Sequence, residues 1–355
     1  MFDRISIQSH KGAYEVIFEG NTAEQLARDV FANAHFIIDR RVAELYADFL
    51  KLVLESSSVL LVEATEENKS LDRFPDYVEH LVSKGIRRQH HLVAIGGGII
   101  QDITCFLAAT LLRGLPWKFY PTTLLAQADS CIGSKSSINS RGVKNILGTF
   151  TPPSEVWIST NFLKTLKEED LRSGIGEMLK VHAIDSPEAF ESLAQNYDYL
   201  LSDSALLLNT IKKSLLIKKK IIELDEFDLG IRNIMNYGHS FGHAIESAVN
   251  YAIPHGIAIT MGMDIANYIS ANLDHASNEF YEAAHPTLSK NYVGYRHVEI
   301  PMDDFFLALT KDKKNLDASS VALILPNATG QIEKKICAFD ESFKKLCHQY
   351  FDNVY

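Results

Sequence analysis

The sequence predicts an α/β domain over residues 1–151 followed by a mainly α-helical domain over residues 152–355. In the first half, short apolar runs typical of buried strands alternate with helical patterns, which favours a mostly parallel sheet. Beyond Pro152-Pro153 the strand signals fade and long helical patterns take their place. The double proline is therefore the best candidate for a linker between the two domains.

The first half begins with a predicted hairpin, whose strands cover residues 4–9 and 14–18 around Lys11-Gly12. Buried strands are then predicted over residues 35–39, 58–63, 91–95 and 118–120. Helices are predicted over residues 23–32, 41–54 and 72–84. Strands that alternate with helices in this way are typical of βαβ units.

The second half is predicted to contain one strand pair, at residues 321–325 and 331–335, among several helices. No internal repeat or low-complexity tract interrupts this pattern. The predicted helices cover residues 167–183, 187–197, 204–224, 236–250, 256–273 and 303–311.

Composition excludes several classes of protein. The 355 residues are 46% hydrophobic and carry a net charge of −10, which argues against a nucleic-acid partner but leaves small anionic substrates possible. The four cysteines are scattered without a CxxC spacing, as expected of reduced thiols. There is no signal-type N-terminus and no apolar run of the roughly 18 residues that a membrane span needs. We therefore expect a cytoplasmic protein without a membrane partner.

A histidine cluster is the most prominent chemical feature. If residues 236–246 are helical, His239 and His243 share one face, Glu246 lies one turn further along, and His255 can fold back from the following loop. Imidazole and carboxylate are usual ligands of divalent ions such as zinc. The spacing is equally compatible with a helix surface or with histidines that are satisfied in a core.

A glycine run predicts a possible anion site in the first half. Gly96-Gly97-Gly98 lies between a predicted strand and a helix, where backbone N–H groups can approach a pyrophosphate. It is not the GxGxxG fingerprint, so a plain strand-to-helix turn remains an alternative. Asp39, at the end of the third strand, fits either a cofactor ribose contact or a helix N-cap.

Polar and cationic residues follow these glycines. Residues 121–139 are rich in small hydroxyl side chains and include Lys135, and Lys144-Asn145 comes soon after. Such a composition makes a polar pocket lining in which lysine can bind phosphate. Further on, Glu177 and Lys180 lie one helical turn apart, as either site residues or an exposed ion pair.

The order of these motifs closely resembles the 3-dehydroquinate synthase family of sugar phosphate cyclases. The matching series reads GGG…D, RG, PTTLLAQ-D, K-IN, KN, GEMLK, DE, IRN-MN-GHSFGHAIE, HG and DKK, from about Glu66 to Lys314. The resemblance implies an N-terminal domain that binds NAD and a helical C-terminal domain that holds a divalent metal, zinc or cobalt. It also implies an active site in the cleft between them.

The resemblance assigns roles to individual residues. It places the metal on Glu177, His239 and His255, and makes His243 an acid/base group rather than a ligand. The NAD contacts fall on Asp39, Glu66, Lys69, Gly96, Gly97, Gly98, Asp102, Thr122, Thr123, Asp129, Lys144, Phe162 and Thr165. The substrate contacts fall on Arg113, Asp129, Lys135, Asn145, Lys180, Lys218, Arg232, Asn236, His243, Lys313 and Lys314. The catalytic set comprises His243, Asp228, Lys135, Lys180, Lys218, Arg232 and Asn236.

The implied reaction converts 3-deoxy-arabino-heptulosonate 7-phosphate into a carbocycle with loss of phosphate, as a lyase of the shikimate pathway of aromatic amino acid biosynthesis. NAD would act catalytically, without net redox change, and the metal as a Lewis acid. Lys135, Arg113 and Lys314 would oppose the phosphate, and Lys180, Lys218 and Arg232 the carboxylate. We also expect a homodimer, and the resemblance lets Arg113 reach the phosphate in its own or in the neighbouring subunit.

Several positions depart from the family pattern. Gln101 and Cys105 differ from the residues usual in the family, Ser134 and Val143 stand where glycine is usual, and Asp228 replaces a glutamate. Ile257 replaces the glutamate of the usual HGE motif, which here reads His255-Gly256-Ile257. The retained Lys218, Arg232 and Asn236 favour a substrate with a carboxylate. A cyclase acting on sedoheptulose 7-phosphate or an amino analogue in secondary metabolism remains an alternative. More distant alternatives are a metal-dependent polyol or alcohol dehydrogenase and a catalytically silent relative.

Overall fold

The computed structural model describes residues 3–311 and 319–355, which form two compact units. Unit 1 runs to Leu166 and also includes Lys219–Phe227. Unit 2 comprises Lys167–Lys218 and the chain from Asp228 onward. Unit 1 is α/β and unit 2 is mainly helical, so the predicted fold class is confirmed.

Unit 1 contains a seven-stranded sheet, a separate hairpin and five helices among its described residues. Its strands are β1 (Asp3–Ile7), β2 (Tyr14–Phe18), β3 (Ala34–Asp39), β4 (Val59–Val62), β5 (His91–Gly96), β6 (Trp117–Pro121), β7 (Lys135–Ser140), β8 (Val143–Phe150) and β9 (Glu155–Ile158). Its helices are α1 (Thr22–Phe31), α2 (Arg40–Leu45), α3 (Lys51–Leu54), α4 (Phe74–Ser83) and α5 (Gly98–Thr110). The helix predicted over residues 41–54 is thus two shorter helices.

The sheet has the strand order β1-β2-β9-β6-β5-β3-β4. Only the β1–β2 pair of this sheet is antiparallel, and the remaining neighbours are parallel. The inner strands are buried because helices cover a parallel sheet, which explains the continuous apolar runs that predicted them. The carboxyl ends of β3, β5 and β6 meet at one edge of the sheet, where ligands bind in folds of this type.

The structure places the boundary between the units later than the predicted one at residue 151. Strand β9 pairs with β2 and β6, so it belongs to the sheet of unit 1 although it follows Pro152-Pro153. The β7–β8 hairpin was not predicted from the sequence. Its turn, Arg141-Gly142, has φ of 48° and 80°, as a two-residue hairpin turn requires.

Unit 2 is built from long helices and one antiparallel strand pair. Its helices are α6 (Glu168–Asp185), α7 (Pro187–Ala194), α8 (Ser204–Leu224, which ends within unit 1), α9 (His239–Ala248), α10 (His255–Asn272), α11 (Asn278–Tyr292), α12 (Met302–Thr310) and α13 (Glu341–Asn353). Strands β10 (Ser320–Pro326) and β11 (Ile332–Ala338) form the pair. Helices α11 and α13 were not predicted from the sequence.

Glycines allow α6, α9 and α10 to approach at backbone distance. A Cβ on Gly176 of α6 would lie 2.1 Å from the carbonyl oxygen of Gly256 on α10. A Cβ on Gly262 of α10 would lie 2.1 Å from the carbonyl oxygen of Gly238, the residue before α9. Any side chain at these positions would separate the helices.

Within the part of the chain that the structure describes, no helix combines the length and apolarity needed to cross a membrane.

Replacing Gly176 with alanine is expected to lower the free energy of unfolding by about 1 to 3 kcal/mol, because the added methyl group overpacks a contact between two backbones. Urea unfolding followed by circular dichroism measures this loss. Gly294→Ala is the matched control, since a Cβ there would meet no atom within 4 Å. Equal stability of the two variants would contradict the close helix contact.

Candidate active site

Three helices of unit 2 bring the predicted metal ligands together. Glu177 lies in the middle of α6, His239 begins α9 and His255 begins α10. Glu177 Oε1 is 3.9 Å from His239 Nε2 and 3.4 Å from His255 Nε2. Residues that are up to 78 positions apart in the sequence therefore form one cluster of nitrogen and oxygen donors.

His243 belongs to the same cluster. Its ring centroid is 5.2 Å from that of His239 and 5.7 Å from that of His255. The three imidazoles offer ligand atoms that all lie within 4.8 Å of one another. Both ligand sets considered from the sequence are thus compatible with the geometry, but His243 is the exposed member of the cluster.

The outer ring nitrogens of the two helix-starting histidines are held by oxygen atoms. His239 Nδ1 lies 3.2 Å from the carbonyl oxygen of Tyr237, and His255 Nδ1 lies 3.2 Å from Oε1 of Glu246. An Nδ1–H donor leaves Nε2 as the nitrogen with the lone pair. Glu246, which spacing alone suggested as a ligand, instead contacts the outer nitrogen of His255, as carboxylates behind metal-binding histidines do.

Burial and charge favour a cation in this cluster. Burial alone would raise the pKa of Glu177, but Lys180 and His255 hold it well below its usual range. Burial alone would lower the pKa of His255, but the carboxylates of Glu177 and Glu246 raise it to about 10. The pKa of His239 is lowered well below its usual value by burial and by the positive charge of Lys180.

The donor set fits a divalent ion. Both carboxylate oxygens of Glu177 are buried, with Lys180 Nζ in direct contact with Oε2 and His255 Nε2 3.4 Å from Oε1. A carboxylate that is buried away from water is stable only beside positive charge. Imidazole nitrogen and carboxylate oxygen are the donors that zinc and similar ions take.

Lys180 pairs with Glu177 in the interior of unit 2. The side chains are 3% and 2% exposed, so the alternative of a solvent-exposed ion pair is wrong. Lys218 on α8 and Arg232 are also buried cations, at 7% and 5% exposure. Arg232 and Asn236 lie on a short 3-10 helix, Ile231–Asn236, which directly precedes the turn into α9.

Three further predicted positions of the helical half of the chain remain, of which the structure describes one. Asp228 adopts the left-handed conformation, with φ of 58°. Lys313 and Lys314 lie outside the described residues.

Six of the predicted NAD residues follow or end β3, β5 and β6, namely Asp39, Gly96, Gly97, Gly98, Thr122 and Thr123. Gly96 ends β5, and a Cβ there would lie 2.5 Å from the side chain of Ile100. A Cβ on Gly97 would lie 2.9 Å from Thr123, which with Thr122 follows β6. Gly98 begins α5, where a Cβ would meet only one atom, at 4.0 Å. Gly96 and Gly97 are therefore buried in close packing, whereas Gly98 leaves its backbone half-exposed at the N-terminus of a helix.

Asp39 serves as the N-cap of α2, where its side chain accepts a hydrogen bond from the backbone N–H of Arg41 at 2.9 Å. Burial raises the pKa of this carboxyl group. The helix-cap alternative is therefore observed at this position. A carboxylate has a second oxygen, so a ribose contact remains compatible with the cap.

Lys69 is buried at the centre of a polar network. Its Nζ lies 3.2 Å from Asp102 Oδ2, 3.1 Å from Asn145 Oδ1 and 3.4 Å from Glu66 Oε1. Burial raises the pKa of Asp102 to about 6, against the opposing effect of Lys69. Asn139, which the sequence analysis did not single out, also donates to Glu66 at 2.8 Å and so belongs to this network.

The remaining predicted residues of unit 1 occupy varied environments. Arg113 is exposed and has φ of 72°, and Lys135 is exposed at the start of β7. Asp129 lies on the π-helical turn Ala126–Ser130. Lys144 is half-buried. Thr165 is exposed, and its hydroxyl lies 3.0 Å from that of Tyr46.

Phe162 is 2% exposed and packs in the apolar core of unit 1. The NAD contact assigned to Phe162 stays a prediction. Packing in this core is sufficient to explain why an apolar residue stands at this position.

Comparisons with known proteins agree with this geometry. Residues 59–173 match the model of the 3-dehydroquinate synthase N-terminal domain, and residues 174–315 match that of the C-terminal domain. The 3-dehydroquinate synthase of Clostridium tetani is 34% identical over 316 residues, 88% of this chain and 84% of that protein. That of Thermoanaerobacter sp. is 32% identical over 97% of this chain and 99% of its own length.

Solved structures share the fold. A 2-deoxy-scyllo-inosose synthase complexed with carbaglucose-6-phosphate, NAD+ and Co2+ has a TM-score of 0.84 at 24% identity, over 98% of this chain and 99% of its own. An iron-containing alcohol dehydrogenase from Thermotoga maritima has a TM-score of 0.65 at 15% identity, over 99% of this chain and 100% of its own. On the evidence of both family models and of relatives that match it over most of their length, the chain belongs to the 3-dehydroquinate synthase family.

Proposed function

We propose that this protein is a phosphate-eliminating cyclase that converts 3-deoxy-arabino-heptulosonate 7-phosphate into a carbocycle, with catalytic NAD and a divalent metal. The observation that carries the proposal is the buried Glu177 beside His239 and His255, paired with the buried Lys180. Support comes from relatives named 3-dehydroquinate synthase that are 30–37% identical to this chain. The proposal includes a cytoplasmic homodimer and a role in the shikimate pathway.

In this proposal Glu177, His239 and His255 hold the metal ion, and the residues at the edge of β3, β5 and β6 hold NAD. When bound, the metal supplies Lewis-acid polarisation of a substrate oxygen, and NAD supplies reversible removal of a hydride. The protein orients both groups. Gly97 and Gly98 offer backbone N–H groups to the pyrophosphate, and Asp39 offers its second oxygen to a ribose.

The buried cations of unit 2 support a substrate that carries a carboxylate. Lys180, Lys218 and Arg232 are buried, and a cation in such an environment binds an anionic group of the substrate more strongly than it would in water. Lys135 and Arg113, which are exposed, would bind the phosphate group at the other end of the substrate. Lys313 or Lys314 would join them.

His243 is proposed to move protons at its imidazole, beside the metal rather than on it. It is exposed whereas Glu177 is 2% exposed, and its position next to both helix-starting histidines places it within reach of a ligated substrate. Asp228 is proposed as a second base. Its left-handed backbone conformation is one that aspartate tolerates better than most residues do.

The departure at Ile257 does not alter this set of charged residues. Ile257 is fully buried in α10, so it packs in the core of unit 2. The fold alone also suits a cyclase of another specificity, because a 2-epi-5-epi-valiolone synthase from Streptomyces hygroscopicus has a TM-score of 0.84 at 23% identity. Substrate identity therefore has to be tested directly.

The purified protein, supplied with NAD and zinc or cobalt, is expected to release inorganic phosphate from 3-deoxy-arabino-heptulosonate 7-phosphate without accumulating NADH. Sedoheptulose 7-phosphate, assayed side by side, is expected to release none because it lacks the carboxylate. The reverse preference would assign another cyclase activity. Accumulation of NADH without phosphate release would assign a dehydrogenase, and inactivity on both substrates would contradict the proposal.

Two histidine variants separate the ligand sets. His255→Ala is expected to lose bound metal together with activity, because it removes a proposed ligand. His243→Ala is expected to keep near-stoichiometric metal and to lose about 100-fold or more in kcat, as a general acid/base does. Metal analysis of the dialysed proteins gives the first readout and phosphate release the second. Metal loss in His243→Ala with retention in His255→Ala would reverse the assignment.

Glu246→Gln is expected to weaken metal affinity about 10- to 100-fold. The neutral amide of glutamine orients the ring of His255 less well than the carboxylate does, and it does not make the ring nitrogen that binds the metal more basic. Competition with a chelator measures the affinity without reference to turnover. Glu191→Gln, on the exposed surface of α7 in the same unit, is the matched control. Unchanged affinity in Glu246→Gln would show that its contact with His255 does not support the site.

A further inference from the structure

Ser134 adopts a backbone conformation that favours glycine. Its φ is 66°, it is 6% exposed, and it directly precedes Lys135 at the start of β7. Residues other than glycine are uncommon in this left-handed region, and they keep this backbone conformation where neighbouring groups hold them in it. The direction in which Lys135 leaves the loop depends on this conformation.

The side chain of Glu226 holds Ser134. The hydroxyl of Ser134 donates to Glu226 Oε1 at 2.5 Å, and both residues belong to unit 1. The carbonyl oxygen of Ser134 accepts from the backbone N–H of Thr151 at 2.7 Å. Ser134 is therefore fixed through its side chain and through its main chain.

Glu226 is itself held by the connection between β1 and β2. Its Oε2 accepts from the backbone N–H of His10 at 2.7 Å, and its Oε1 lies 3.0 Å from His10 Nδ1. Burial alone would raise the pKa of Glu226, but the hydrogen bonds from Ser134 and His10 lower it, so the carboxylate stays ionised at neutral pH. The carboxylate thus bridges His10 and Ser134.

We propose that Glu226 is a positioning residue that directs Lys135 toward the phosphate group of the substrate by fixing the left-handed conformation of Ser134. The inference rests on the proposed function, in which Lys135 binds that phosphate. Glu226 itself contacts neither substrate nor cofactor in this role.

The test is a double-mutant cycle that exploits the conformational freedom of glycine. Glu226→Ala and Ser134→Ala are each expected to raise KM for the sugar phosphate about tenfold with kcat changed less than about threefold, because Lys135 is misplaced. Ser134→Gly is expected to stay within about twofold of the wild type, since glycine adopts this φ unaided. Adding Glu226→Ala to Ser134→Gly is expected to cost nothing further.

Glu223→Ala is the matched control. Glu223 accepts from the backbone N–H of Gln8 at 2.7 Å, so it ties the same two segments together without touching Ser134. Its KM is expected to match the wild type. An equal rise in KM in Glu223→Ala, or a tenfold rise that persists when Glu226→Ala is combined with Ser134→Gly, would overturn the positioning role.

Calorimetric titration with inorganic phosphate separates this inference from the proposed function. Glu226→Ala is expected to bind phosphate about tenfold more weakly than the wild type, while its melting curve by circular dichroism shows that it is folded. If the wild type binds phosphate and turns over but Glu226→Ala binds equally well, only the positioning role fails. If the wild type neither binds phosphate nor releases it from the sugar, both fail together.

Discussion

The backbone contacts between α6, α9 and α10 determine where the chemistry of unit 2 can take place. Each proposed metal ligand is the sequence neighbour of a glycine in such a contact, since Glu177 follows Gly176, His239 follows Gly238 and His255 precedes Gly256. Where helices touch through backbone atoms, flexible side chains do not set the distance between their axes. The ligand positions are therefore fixed by the most rigid contacts that the fold offers.

Electrostatics complements this geometry. A carboxylate as buried as Glu177 is costly unless positive charge lies beside it, and the cluster supplies that charge from Lys180 and His255. Glu246 adds a second carboxylate behind His255. The carboxylates of Glu177 and Glu246 therefore favour a cation in this cluster. The lowered pKa of Glu177 and the raised pKa of His255 are consistent with that preference, because both shifts stabilise the charged form of the group.

The sequence predicted those parts of the fold that follow from local periodicity. Continuous apolar runs predicted β3, β5 and β6, because strands covered on both faces need them. Hairpin β7–β8 was not predicted because β7 has few apolar residues and β8 has no buried residue that would reveal a period. Strand β9 was not predicted because it has only four residues and follows two prolines, so its apolar pattern is too short to indicate a strand. In the structure it pairs with both β2 and β6.

The site shows the same limit at longer range. Spacing within one helix grouped His239, His243 and Glu246, but it carries no information about Glu177, which reaches the cluster only through the packing of α6 against α10. Resemblance to a family supplied that residue, and the geometry is compatible with it. Neither route identified the contact of Glu246 with the outer nitrogen of His255, because that contact depends on the orientation of two side chains.

Positions that depart from the family pattern are accommodated by their surroundings. Ile257 is fully buried in unit 2, and the hydroxyl of Ser134 is hydrogen-bonded to Glu226, a bond that glycine at this position would not need. In both places the replaced residue changes packing or hydrogen bonding and leaves the proposed ligands and buried cations in place. Such changes therefore bear on how the site is supported, whereas Lys180, Lys218 and Arg232 bear on which substrate it accepts.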